Sequence, residues 1–189
     1  MAVEALRILD EEGRARLTMR RLAAALGVEA ASLYAHVASK DDLVDAVLDV
    51  VLDSVTLPEP DTDARTALSA GFLRYRRTLV AHPSIVILMT ERARFSRSQL
   101  RLAQRSIEIL ESVGLSARVA VDAHVTLIAY VLGFILQEVA RPTTPSTETA
   151  SSPLLQRALS TLAERSVDER FEVGLALILD GVGVPNQSE

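Results

Sequence analysis

The sequence predicts an all-α protein, a small helix-turn-helix unit at the N-terminus followed by a larger helical body. Three observations carry this expectation. Alanine, leucine, valine and arginine dominate a chain of 189 residues that is 49% hydrophobic and 4% aromatic, a mixture that favours helices over sheets. Apolar residues recur at helical spacing through most of the chain, and alternating strand patterns are nearly absent. Ser and Thr caps open the periodic stretches, and Gly or Pro closes them.

Each element follows from its own residues. Residues 2–12 (AVEALRILDEE) place Val3, Leu6 and Leu9 on one stripe, and Gly13 is a natural stop. Thr18 caps a helix to Leu26 with Leu22, Ala23 and Leu26 inward, and Gly27 supplies the left-handed residue after it. A short helix over Val28–Val37 then turns Leu33 and Val37 inward. Ser39, with Asp42 three residues on, resembles a capping box and starts a helix Lys40–Val55, apolar at Leu43, Val44, Val47, Val51 and Val55. The two prolines of LPEPDTD (Leu57–Asp63) break helix, so a boundary divides residues 1–56 from 57–189. Beyond it the pattern predicts helices over 63–81 (ending near His82-Pro83), 84–90, 97–113 (stopping at Gly114) and 117–140 (from a Ser116 cap). Residues 141–153 (RPTTPSTETASSP) read as a mobile surface loop, and helices 153–165 and 168–182 complete the chain.

Several classes of function are excluded or disfavoured. The sequence has no cysteine, which removes disulfides and thiolate sites. The first dozen residues are interrupted by Glu4, Arg7 and Asp10, unlike a signal peptide. The longest apolar run, Val125–Leu136, falls short of the ~20 residues of a spanning helix, so a cytoplasmic protein with no membrane partner is expected. His36, His82 and His124 lie at no metal-ligand spacing, and no P-loop, GxGxxG or GxSxG occurs. Acidic pairs such as Asp41-Asp42 and Asp168-Glu169 sit at helix ends, where solvated carboxylates favour the dipole. Neither an enzyme nor a metal or cofactor site is expected.

The spacing over 18–37 points elsewhere. Gly27 permits a sharp turn, small Ala23 lets two helices cross closely, and the second helix is slim. A major groove about 12 Å wide would admit it, with Ala30, Ala31, Ser32, Tyr34, Ala35 and His36 outward. Lys40 could meet a phosphate. An ordinary αα-hairpin fits the spacing equally well. Against nucleic acid stands the charge, −5 overall. Residues 1–50 hold six basic and nine acidic residues (6 − 9 = −3), which predicts few phosphate contacts and strongly salt-sensitive binding.

LTMRRLAAALGVEAASLYAHVASKDDLVDAV, Leu17–Val47, resembles the DNA-binding domain of the tetracycline-repressor (TetR) family. Its marks are a Thr-x-Arg-x-Leu-Ala helix, a Leu-Gly-Val turn, and Leu-Tyr-x-His-Val followed by a lysine. PLLQRALSTL (153–162) and RFEVGLALILDGV (170–182) are similar to the family's C-terminal domain. The resemblance implies a homodimeric repressor whose N-terminal domain binds operator DNA and whose body binds an inducer and dimerises. Carried over by position, Thr18, Arg20, Ser32, Tyr34, His36 and Lys40 contact phosphates or bases. Ala30 and Ala31 stand where a family member has Gln-Pro, so an adenine-reading amide is missing and alanine can touch only a thymine methyl.

For the body, the resemblance implies a four-helix bundle of 117–140 and 168–182 with their copies, although covering these helices from within one subunit is the simpler reading. It also implies a cavity for a small amphipathic inducer, walled by Phe72, Tyr75, Leu79, Met89, Thr126, Tyr130 and Phe134. His82 and His124, with the two tyrosines, would supply polar handles. Positions that hold tetracycline and magnesium in the family fall on Thr56, Met89, Gln137 and Gly71, so a tetracycline–magnesium inducer is not expected. The competing readings are a helical small-molecule binding protein or enzyme whose N-terminal hairpin is structural, and a dimerisation module acting through protein contacts.

Overall fold

Ten α-helices, one 3-10 turn and no strand occur among the described residues of the computed structural model, which are 1–56, 63–92, 94–140 and 152–186. The helices are α1 (Ala2–Glu12), α2 (Met19–Leu26), α3 (Ala30–Leu33), α4 (Lys40–Leu52), α5 (Ala64–Val80), α6 (Pro83–Thr90), α7 (Arg97–Ser112), α8 (Ala117–Ala140), α9 (Pro153–Ala163) and α10 (Val167–Gly181). The 3-10 turn, Arg14–Arg16, lies between α1 and α2 and has no counterpart in the sequence expectations. Most of the boundary LPEPDTD and nearly all of the expected 141–153 loop lie outside the described residues.

The chain divides into two compact units, Met1–Leu57 with Arg74–Ser106, and Pro58–Leu73 with Ile107–Glu189. In the first, α1 packs against α2, α4 and α6. Ala5, Ile8 and Leu9 of α1 are buried with Leu22, Leu43, Val47, Leu48, Leu52 and Ile85. The expected α1 stripe is therefore corrected: Val3 is 67% exposed, because the i, i+3, i+4 face that meets the core runs through Ala5, Ile8 and Leu9. Leu26 is also outward, being the last residue before the chain reverses at Gly27. Ser39 accepts from the Asp42 amide at 3.1 Å and donates its hydroxyl proton to the Asp42 carboxylate at 2.8 Å. That cap starts α4 as expected, but the helix ends at Leu52 and Val55 is buried beyond it.

The second unit is built on α8 and α10. One stripe of α8 (Ala120, Ala123, Leu127, Val131, Ile135) is buried, as are Phe171, Leu175 and Leu179 of α10. A capping box between Ser166 and Glu169 opens α10. Its last turn is closed by Arg65, which pairs with Asp180 at 2.7 Å and donates to the Val184 carbonyl at 3.2 Å. At 24 residues α8 is, among the described residues, the one helix long and apolar enough to cross a membrane. The Val125–Leu136 run underestimated it because alanines and valines continue the apolar surface on both sides. Its outer face keeps Val119, Val121, Val125, Leu136 and Val139 exposed, while Val173 and Leu177 are exposed on α10.

Candidate nucleic-acid interface and ligand-contacting residues

Two backbone devices fix the motif. Thr18, extended at φ −126°, accepts the Arg21 amide at 3.1 Å and so caps α2. At the other end Gly27 sits in the left-handed region, φ 67° and ψ 29°. The Val28 amide donates back to the Ala23 carbonyl at 3.1 Å. Any side chain at Gly27 would be strained there, which is why the reversal falls on glycine. α3 follows after two residues and is shorter than the expected Val28–Val37: only Ala30–Leu33 is α-helical. Beyond Leu33 the bonds tighten, Tyr34 N–H to Ala31 O at 3.2 Å and His36 N–H to Leu33 O at 3.0 Å. Leu33 and Val37 are buried and hold this turn on the unit's core.

What remains outward is the set expected to contact DNA. Thr18, Arg20, Ala31, Ser32, Tyr34, His36 and Lys40 are all exposed, Tyr34 by 55%, and Ala30 is half-buried.

The electrostatics differ from the bare count of charges. Of the six cations in residues 1–50, Arg7 pairs with Glu4 and Glu11, Arg14 with Glu91, and Arg21 with Glu12. Among the described residues the side chains of Arg16, Arg20 and Lys40 have no hydrogen bond or ion pair, and all three residues are exposed. The acids of α4 are engaged from the 92–101 segment. Asp45 pairs with Arg92 and with Arg94, each at 2.6 Å, and Asp42 with Arg94 at 3.1 Å. Asp53 pairs with Arg101 at 3.2 Å, and the Ser98 amide donates to Asp49 at 2.8 Å. The Ser39 hydroxyl, with Arg94 behind it, holds the Asp42 carboxyl below its ordinary range. An i, i+4 stripe of acids is visible in the sequence at 41, 45, 49 and 53. Its partners some fifty residues away are not, because nothing local links them.

The candidate ligand residues fall in both units. Phe72, Thr126, Tyr130 and Phe134 belong to the second; Tyr75, Leu79, His82 and Met89 belong to the first. Phe72, Tyr75 and Leu79 are buried, and Met89 is half-buried. Burial raises the Tyr75 phenol above its ordinary value. The other handles are engaged. His82 Nδ1 lies 2.8 Å from Asp10, and Tyr130 donates to the Phe171 carbonyl at 2.9 Å. Tyr130, Phe134 and Phe171 form an aromatic cluster with centroids 5.2–5.8 Å apart. The sequence reading missed Phe171, whose only signal was its place on an apolar helix. Thr126 is exposed, its hydroxyl donating to the Asp122 carbonyl at 2.8 Å. His124 is half-buried, and burial lowers its imidazole below the ordinary value.

A capped helix, a glycine reversal and a slim exposed second helix, with Arg20 on the helix before it and Lys40 at the start of the helix after it, define a helix-turn-helix DNA-binding regulator. Residues 3–47 match the family model for bacterial regulatory proteins of the tetR family, and residues 57–184 match the tetracyclin repressor-like C-terminal domain. The chain belongs to the tetR family and is a ligand-responsive, DNA-binding transcriptional repressor. It is 32% identical over 187 residues to the class A tetracycline repressor from transposon 1721 of Escherichia coli, covering 94% of this chain and 86% of that protein. Among solved structures it resembles ActR of Streptomyces coelicolor in complex with (S)-DNPA, with a TM-score of 0.84, 31% identity, and coverage of 96% and 94% of the two chains. It also resembles BioQ with its natural double-stranded DNA operator, with a TM-score of 0.74, 27% identity, and coverage of 97% and 96%.

Proposed function

We propose that the chain acts in the cytoplasm as a homodimeric repressor whose residues 1–56 hold the operator, and whose residues 57–189 dimerise and bind a small amphipathic inducer. The observation that carries the DNA assignment is the division of charge in residues 1–56. The side chains of Arg20 and Lys40 have no partner among the described residues, while Arg7, Arg14 and Arg21 are spent on carboxylates. Arg20 and Lys40 bind phosphate or base, Thr18 and Ser32 bind phosphate, and Tyr34 and His36 present aromatic edges to the groove. Ala30 and Ala31 select at most for thymine methyls, so this operator differs from one read by a glutamine.

For the inducer, Tyr75 is the handle, a buried phenol that sets one hydroxyl among apolar side chains. Leu79 and Met89 supply apolar surface in the same unit as Tyr75, with His82 a polar edge, and Phe72, Tyr130 and Phe134, with Thr126, are the candidates of the second unit. Tetracycline–magnesium is not the inducer proposed. Thr56 hydrogen-bonds Arg74 at 2.6 Å, and Gln137 is exposed. A ligand releases DNA only by binding the DNA-incompetent conformation better, and α4 carries that change to the motif.

Mobility shift with the DNA flanking the protein's own gene tests this reading. Tyr34→Ala and Lys40→Ala are expected to abolish the shift while sedimentation still shows a dimer. Native mass spectrometry of the purified protein is expected to show a retained small molecule that Tyr75→Phe releases. Shifts unaltered in both DNA variants would overturn the DNA assignment.

A further inference from the structure

We propose that Arg16 is an additional phosphate contact, gripping the DNA backbone beside Thr18; this rests on the DNA-binding reading above. Arg16 closes the 3-10 turn that joins α1 to α2. The turn is fixed from both sides: the Arg16 amide donates to the Gly13 carbonyl at 3.1 Å, and the Leu17 amide to the Arg14 carbonyl at 3.2 Å. Leu17, 1% exposed, anchors the next position in the core. Arg16 therefore stands on rigid backbone, two residues before Thr18.

The neighbouring cations show what this position lacks. Arg14, in the same turn, reaches Glu91, and Arg21, in the first turn of α2, reaches Glu12. Arg16 is exposed, and its guanidinium has neither a hydrogen bond nor an ion pair among the described residues. Its field does reach Glu12, but that carboxylate is already held by Arg21. An exposed guanidinium two residues from an exposed threonine suits a phosphate, to which the arginine supplies charge and two parallel donors. Arg16, Arg20 and Lys40 are then the basic side chains of residues 1–56 without a partner among the described residues. The sequence count could not separate these three from the other three.

The test is the salt dependence of binding to a duplex from the DNA flanking the gene and to a scrambled duplex of equal length. For the dimer, Arg16→Gln is expected to reduce the slope of log Kd against log salt by about two, one phosphate per subunit at roughly 0.9 each. It is expected to weaken both duplexes by the same factor, because a phosphate contact carries no sequence information. Arg14→Gln, whose guanidinium is held by Glu91, is the control and keeps the wild-type slope. An Arg16→Gln variant that is folded by circular dichroism and has the wild-type slope overturns the inference while leaving the DNA assignment standing. A wild-type protein that binds neither duplex overturns both.

Discussion

Gly174 shows how one missing atom shapes the α8–α10 contact. A Cβ added there would lie 2.6 Å from Cζ of Tyr130 and closer still to its hydroxyl oxygen. In an exposed helix interior Gly→Ala gains about 0.5–1 kcal/mol. Here overpacking, about 1–3 kcal/mol, outweighs that gain. Gly174→Ala should therefore lower Tm despite its better helix propensity, as followed by thermal circular dichroism. In a Tyr130→Ala background the same substitution should cost much less, the non-additivity expected of side chains in contact. Phe171 and Gly174, three apart on α10, were legible as one helix face. That this face meets Tyr130 was not, because helical periodicity gives the side that is buried and not the neighbour that covers it.

α4 is the element whose role changed most between sequence and structure. Its cap and its apolar face were readable, since Ser39, Asp42 and the Leu43–Val55 spacing are local signals. Its acids read as an obstacle to DNA, and they are instead the docking face for the 92–101 segment. Two of its ion pairs should differ sharply in strength. Arg92 and Asp45 side chains are 9% and 17% exposed, so removing the cation strands a largely buried carboxylate, with Arg94 its remaining partner. Breaking such pairs typically costs about 3–5 kcal/mol. The Asp45–Arg94 contact brings the expectation for Arg92→Ala to roughly 2–3 kcal/mol in urea unfolding, below that range. Arg101 and Asp53 are 53% and 63% exposed, and Arg101→Ala should cost under about 1 kcal/mol. Arg92 also leaves Nε and Nη1 buried without partners, so Arg92→Met, which keeps the packing and drops those donors, should cost less than Arg92→Ala. Helix limits were legible to within about three residues, except in α3, where the tightened turn after Leu33 shortened the expected helix.

At the scale of the whole molecule, the family assignment explains the surface a single chain leaves bare. The exposed Val125 and Leu136 of α8 and Leu177 of α10 are apolar residues of the kind a homodimer covers. Leu177→Glu, at a position 67% exposed, should leave the helical content intact and convert the protein to monomers in analytical ultracentrifugation. Operator affinity would fall with it, since two linked motifs gain from effective concentration. The apolar composition of these helices was legible, but the second subunit came from the family resemblance, since one subunit could have covered them. Which residues face that subunit depends on the stripe chosen by the fold, and Ala120, Ala123 and Leu127 took the inner side.

Lys40 stands alone in another sense. The chain contains nineteen arginines and this single lysine, so, apart from an α-amine, the protein offers one alkyl amine to acylating reagents. That amine is exposed at the mouth of α4, with no partner among the described residues. Labelling chemistry that scatters over most proteins would report here on one position, and operator occupancy becomes readable as protection of a single modified peptide.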